Sequence, residues 1–94
     1  MKYENEYKQM IDAWGKDAQI DMCIEEMAEL TQALCKYKRN KRQNNKNDEK
    51  NLDNIQEEIA DVLNCTNQMA FLFGEKEVNK IMDDKIQRTL KKLK

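Results

Sequence analysis

Proline is absent from all 94 residues, and glycine stands only at positions 15 and 74. A backbone without proline keeps every amide donor, and two glycines leave two places where a positive φ costs nothing. The rest is rich in Glu, Lys, Gln, Leu and Met, which favour helix, and no stretch alternates in the manner of a strand. These features predict an all-α fold in a single domain spanning 1–94.

Apolar spacing divides the chain into four helices. Tyr3, Tyr7, Met10, Ile11 and Trp14 recur at steps of three and four and predict a first helix that stops near Gly15. A second, with Asp17 as its expected N-cap, runs to about Tyr37 on Ile20, Cys23, Ile24, Met27, Leu30, Thr31 and Leu34. A third is predicted from about Leu52 to Phe73, carrying Ile55, Ile59, Val62, Leu63, Thr66, Met69 and Ala70, with Gly74 as its stop. The fourth starts near Glu75 and shows Val78, Ile81, Met82, Ile86, Leu90 and Leu93. Between the second and third, Lys38 to Asn51 holds no apolar side chain and six basic residues against two acids, which predicts a solvated loop, one that approaches an anionic substrate at most.

Charge and cysteine usage narrow the function classes. The net charge is −1, from 17 basic and 18 acidic residues mixed along the chain, so no overall field attracts nucleic acid or an anionic membrane. Cys23, Cys35 and Cys65 lack Cys-x-x-Cys spacing and fall inside helical patterns, which reads as small apolar fillers kept reduced. The opening MKYENEYKQM has no apolar core, and no segment reaches the roughly 20 apolar residues of a membrane span, so a cytoplasmic protein is expected.

Acids interrupt two of the apolar stripes in the same way. Glu25-Glu26-Met27-Ala28-Glu29-Leu30 returns thirty-two residues later as Glu57-Glu58-Ile59-Ala60-Asp61-Val62. At about 100° per residue, Glu26 projects between Ala33 and Tyr37, and Glu58 between Cys65 and Met69, each about 20° from its neighbours. Both therefore lean inward. Glu29 and Asp61 lie three residues on, so each helix presents a carboxylate pair on one face.

Four carboxylates facing one another lose hydration and repel; they either take up protons or bind a cation. An all-oxygen donor set selects Mg²⁺, Mn²⁺ or Ca²⁺. The chain has no histidine, which excludes the Glu-x-x-His ligands of a di-iron bundle.

Glu25-Glu26-x-x-Glu29, twenty-eight intervening residues and Glu58-x-x-Asp61 resemble the MazG-like superfamily of all-α nucleoside triphosphate pyrophosphohydrolases, in its short single-domain form. The likeness extends from WGKDAQ before the first acidic motif to Lys85-x-x-Arg88 in the last helix. It implies a four-helix bundle completed by homo-oligomerisation, and a Mg²⁺-dependent hydrolase, with Mn²⁺ as substitute, that converts a (deoxy)nucleoside triphosphate to monophosphate and pyrophosphate. The metal ligands it implies are Glu26, Glu29, Glu58 and Asp61. Glu25 and Glu57 become further acids of the site, Glu25 the first choice to orient or deprotonate water. Lys85 and Arg88 are expected on the substrate phosphates, Lys85 projecting within the apolar arc of its helix. Asp83 and Asp84 stand where relatives carry Asn, a departure that touches phosphate or sugar contacts. Trp14, Tyr7 and Gln19 are candidates for contact with the nucleotide.

Two alternatives accompany this reading. One is phosphoribosyl-ATP pyrophosphohydrolase activity within the same superfamily; the long basic loop and WGKDAQ weigh against it. The other is a non-catalytic helical module for oligomerisation or partner binding. A homodimer or tetramer is expected in each case, because so short a chain cannot cover stripes of this width.

Overall fold

The computed structural model describes residues 1–42 and 48–94. Among them are four helices and no strand: α1 Glu4–Trp14, α2 Lys16–Arg42, α3 Asp48–Phe73 and α4 Glu75–Lys92. The two glycines act as the sequence predicts. Gly15 closes α1 with φ 91° while its N–H donates to the Ile11 carbonyl at 2.8 Å. Gly74 separates α3 from α4 with φ 121°.

The middle of the chain departs from expectation. Residues 38–42 continue α2, and α3 begins at Asp48, four residues before the predicted Leu52. Asp17 lies inside the first turn of α2 and is not its cap. Lys and Arg propagate a helix well, so the absence of apolar residues marked a solvated helix rather than a loop. Asn40 and Asn51 are buried in these extensions. The centre of the predicted loop, 43–47, lies outside the described residues.

The α2–α3 pair forms the body of the molecule. Cys65 on α3 directs its thiol toward the Cys23 carbonyl of α2 at 4.0 Å, and Glu26 gathers with Glu58 and Asp61. Residue numbers rise on one helix as they fall on the other, so the pair is antiparallel. α1 lies across one end: the Tyr7 hydroxyl donates to Asn64 Oδ1 at 2.9 Å, and Gln68 Nε2 donates to the Met10 sulfur at 3.7 Å. Among the described residues, α4 packs against α3 alone.

Little apolar surface is enclosed. The buried apolar residues are Tyr7, Cys23, Ala33 and Cys65, all small except the tyrosine. Ile24, Met27, Leu34, Leu52, Ile59 and Leu63 are exposed, as are Ile81, Met82, Ile86 and Leu90 along α4 and Leu93 at its C-cap. The periodicity located these stripes correctly, but one chain does not cover them. Cys35 is exposed, which corrects its reading as a filler, while Cys23 and Cys65 are buried and unbridged. No helix among the described residues is long and apolar enough to cross a membrane.

Candidate functional site

The acids of α2 and α3 meet at mid-length of the pair. One carboxylate oxygen each from Glu26, Glu58 and Asp61 lies within 4.8 Å of the other two. Glu29 lies outside that group of three but bears on it: its charge raises the pKa of both Glu26 and Glu58, as the charge of Asp61 does. The i, i+3 spacing places each pair on one helix face, and the antiparallel packing turns the two faces together.

The electrostatics follow from this crowding. Loss of hydration raises the Glu26 pKa above its ordinary value, and the charges of Glu29, Asp61 and Glu58 raise it further. Glu58 is raised by the same loss of hydration, then by Glu29, Asp61 and Glu57. Glu26 Oε2 and Glu58 Oε2 are shut off from solvent, and neither has a hydrogen-bond partner. A buried, unpartnered carboxylate oxygen is costly unless a proton or a cation meets it. Beneath the acids, burial and the neighbouring Cys23 push the Cys65 thiol up to about 12, so Cys65 is an inert filler and no nucleophile.

Two cavities adjoin the cluster, and a third shares residues with the second. The first, of about 470 Å³, lies between α1 and the α2–α3 pair; Tyr3, Tyr7, Met10 and Met22 supply its apolar walls, while Glu26 and Asp61 form its acidic edge. Gln68 also lines it, is only 3% exposed, and has a buried Oε1 without a partner. On the other side, Glu29 and Glu58 line a cavity of about 410 Å³ with Gln32, Ala33, Lys36 and Asn54. Lys36 and Asn54 also line the third, of about 360 Å³, with Lys50, Asn51, Asp53 and Glu57. The four acids thus sit between an apolar cavity and a groove that carries two lysines.

The remaining predicted residues are dispersed. Glu25 is exposed and lines none of these cavities; Glu57 lines the third. Trp14 is 62% exposed at the end of α1, whereas Gln19 is 2% exposed with an unpartnered Nε2, and neither lines the three cavities. Lys85 does not lie in a covered arc: α4 is exposed from Ile81 onward, and neither Lys85 nor Arg88 reaches the acids within one chain. Sequence reasoning missed Lys36, Asn54 and Gln68. The first two had a signal, since Lys36 stands two turns beyond Glu29 and Asn54 one turn before Glu58. Gln68 had none.

Compared with known proteins, the chain matches no family model, no curated protein and no solved structure.

Proposed function

We propose that the chain is a nucleoside triphosphate pyrophosphohydrolase of the MazG-like type, cleaving between the α- and β-phosphoryl groups. The observation that carries the reading is the partly exposed acid cluster, two of whose oxygens are shut off from solvent and lack any partner, at the edge of a cavity large enough for a nucleoside. Four carboxylates, with no imidazole or thiolate among them, suit Mg²⁺ or Mn²⁺. When bound, such an ion neutralises phosphate charge and orients the phosphoryl group toward water.

The chain's own residues do the rest. Tyr3, Tyr7 and Met10 offer apolar surface to the base, and Gln68 Oε1 is free to accept from its donor edge because Nε2 already donates to Met10. Glu26, Glu29, Glu58 and Asp61 hold the reacting end, and one of them takes the proton of the attacking water. The water oxygen bonds to the α-phosphorus, the bond from that phosphorus to the oxygen bridging toward β breaks, and pyrophosphate leaves with the electron pair. This assigns the proton to the cluster in preference to Glu25, whose exposed position leaves it outside the cavities.

A second copy of the chain belongs to the reading. The accessible surface is 7788 Å², against about 5,700 Å² for a folded monomer of this mass. The excess of about 2,000 Å² per chain exceeds the roughly 800 Å² that each partner buries in an ordinary stable interface. Lys85 and Arg88 are assigned to phosphate only across such an interface, carried on α4 of the other copy.

The test is pyrophosphate release from a panel of ribo- and deoxynucleoside triphosphates and phosphoribosyl-ATP, with Mg²⁺ or Mn²⁺. Glu58→Gln should lower kcat by about a hundredfold or more, the range for removing a positioned acid–base or charge-stabilising group. Equal rates in the two proteins, or no Mn²⁺ binding by wild type, would exclude the site and leave a non-catalytic module.

A further inference from the structure

The groove beyond the acids has a composition that the metal cluster does not need. Lys36 and Asn54 line both the cavity shared with Glu29 and Glu58 and the next one, where Lys50 and Asn51 join them. Asn51 is 7% exposed, and its Nδ2 is buried without a hydrogen-bond partner. A buried N–H donor left unpaired loses its hydration with nothing in return, so its presence in a cavity wall calls for an acceptor. Asp53 and Glu57 share this lining. Even so, the one ion pair among the described side chains joins the Met1 amino group to Glu75, and neither Lys36 nor Lys50 pairs with an acid among them.

Placement along the helices gives the groove a direction. With a rise of about 1.5 Å per residue, Asn54 lies about 6 Å before Glu58 on α3, and Gln68 about 10 Å beyond Asp61 on the opposite side. The apolar cavity and the lysine-bearing groove therefore flank the acids from opposite ends of one track. Donors without acceptors at one end suit oxyanions; apolar walls at the other suit a base.

Building on the hydrolase reading, we propose that Lys36, Lys50 and Asn51, with Asn54, form the site for the diphosphate end of the substrate, the part that departs as pyrophosphate. The triphosphate then lies along the α2–α3 groove, with its nucleoside against Gln68 and its terminal phosphates against Lys36. Two ammonium groups and a buried amide donor take up the charge that develops on the leaving group, and they come from the same chain as the acids. No contribution from α4 is required at this end.

Calorimetric titration separates the outcomes, using inorganic pyrophosphate and, in parallel, a nucleoside monophosphate, each with Mn²⁺ present. Lys36→Met and Asn51→Leu should each weaken pyrophosphate binding about tenfold or more, with Lys50→Met similar and Lys36→Arg restoring most of the affinity. Monophosphate affinity should stay within about twofold in all of them. Unchanged pyrophosphate affinity in the Lys36 and Lys50 variants, or equal losses for both ligands, would overturn the leaving-group site. Mn²⁺ titrated alone into wild type distinguishes the two levels: if it binds, such a result removes the groove proposal alone, and if it does not, the hydrolase reading falls and the groove proposal with it.

Discussion

Glu26 and Glu58 bind a proton more tightly in the folded chain than their ordinary value of 4.5 allows, because they have lost hydration and face Glu29, Asp61 and each other. The native state therefore holds more protons than the unfolded chain above pH 4.5. Their contribution to stability is intact below that value and is lost as pH rises through the raised folded pKa. Glu57 adds to the repulsion, and Lys36 lines the cavity that Glu29 and Glu58 adjoin. Removing the charge should then help the metal-free protein. In melting curves from pH 4.5 to 8 with chelator present, Glu26→Gln/Glu58→Gln should gain on wild type as pH rises through the raised folded pKa and hold that gain above it. Mn²⁺ at a hundredfold excess over its Kd should stabilise wild type by about 2.7 kcal/mol at pH 7 and leave the double variant unmoved. Wild type and variant tracking each other across the pH range would mean that the four acids do not confront one another.

Gly15 turns the chain from α1 into α2 at φ 91° and ψ 153°, a region that side-chain-bearing residues scarcely enter. A Cβ at this position would meet nothing within 4 Å, so the cost of Gly15→Ala is backbone strain alone, about 1–3 kcal/mol. Relief of that strain would tilt α1, which carries Tyr3, Tyr7 and Met10 on the cavity wall. Chemical denaturation should show the loss of stability, with a larger loss of nucleotide affinity than of Mn²⁺ affinity. Equal stability of the two proteins would remove the strain argument. The same element shows why helix ends were legible where glycine set them and not elsewhere. Gly15 and Gly74 stop helices through backbone chemistry that one residue dictates. The ends of α2 and α3 depend on how two solvated stretches pack around Asn40 and Asn51, and apolar periodicity has no signal there. The acids were legible because i, i+3 spacing is local to each helix. Asn51 and Gln68 were not, since their role depends on the register of α2 against α3 and on where α1 lands.

A radius of gyration of 16.5 Å and extents of 45 × 42 × 20 Å describe a flat, open body, where a compact chain of this length has a radius of about 12 Å. Only four apolar side chains are fully buried among the described residues, and wide apolar faces are left bare, which we expect a second copy to cover. On α4 the bare stripe of Met82, Ile86 and Leu90, continued by Leu93 at its C-cap, follows steps of four, four and three, the spacing of a helix that packs along its length. A second copy presents the same stripe, and a two-fold arrangement lets each copy's stripe cover the other's apolar faces without an unmatched remainder. Folding and association should therefore be one equilibrium. Sedimentation at micromolar concentration should show a dimer or larger, and the melting temperature should climb with protein concentration. Ile86→Lys with Leu90→Lys should shift the population toward monomer and lower the melting temperature while leaving the acid cluster untouched in sequence. Should that pair of substitutions prevent folding, the concentration dependence of the wild type still decides. A wild-type monomer with full helicity and a melting temperature independent of concentration would show that the open body stands alone, and would withdraw Lys85 and Arg88 from the site, since no second α4 would be present to bring them there.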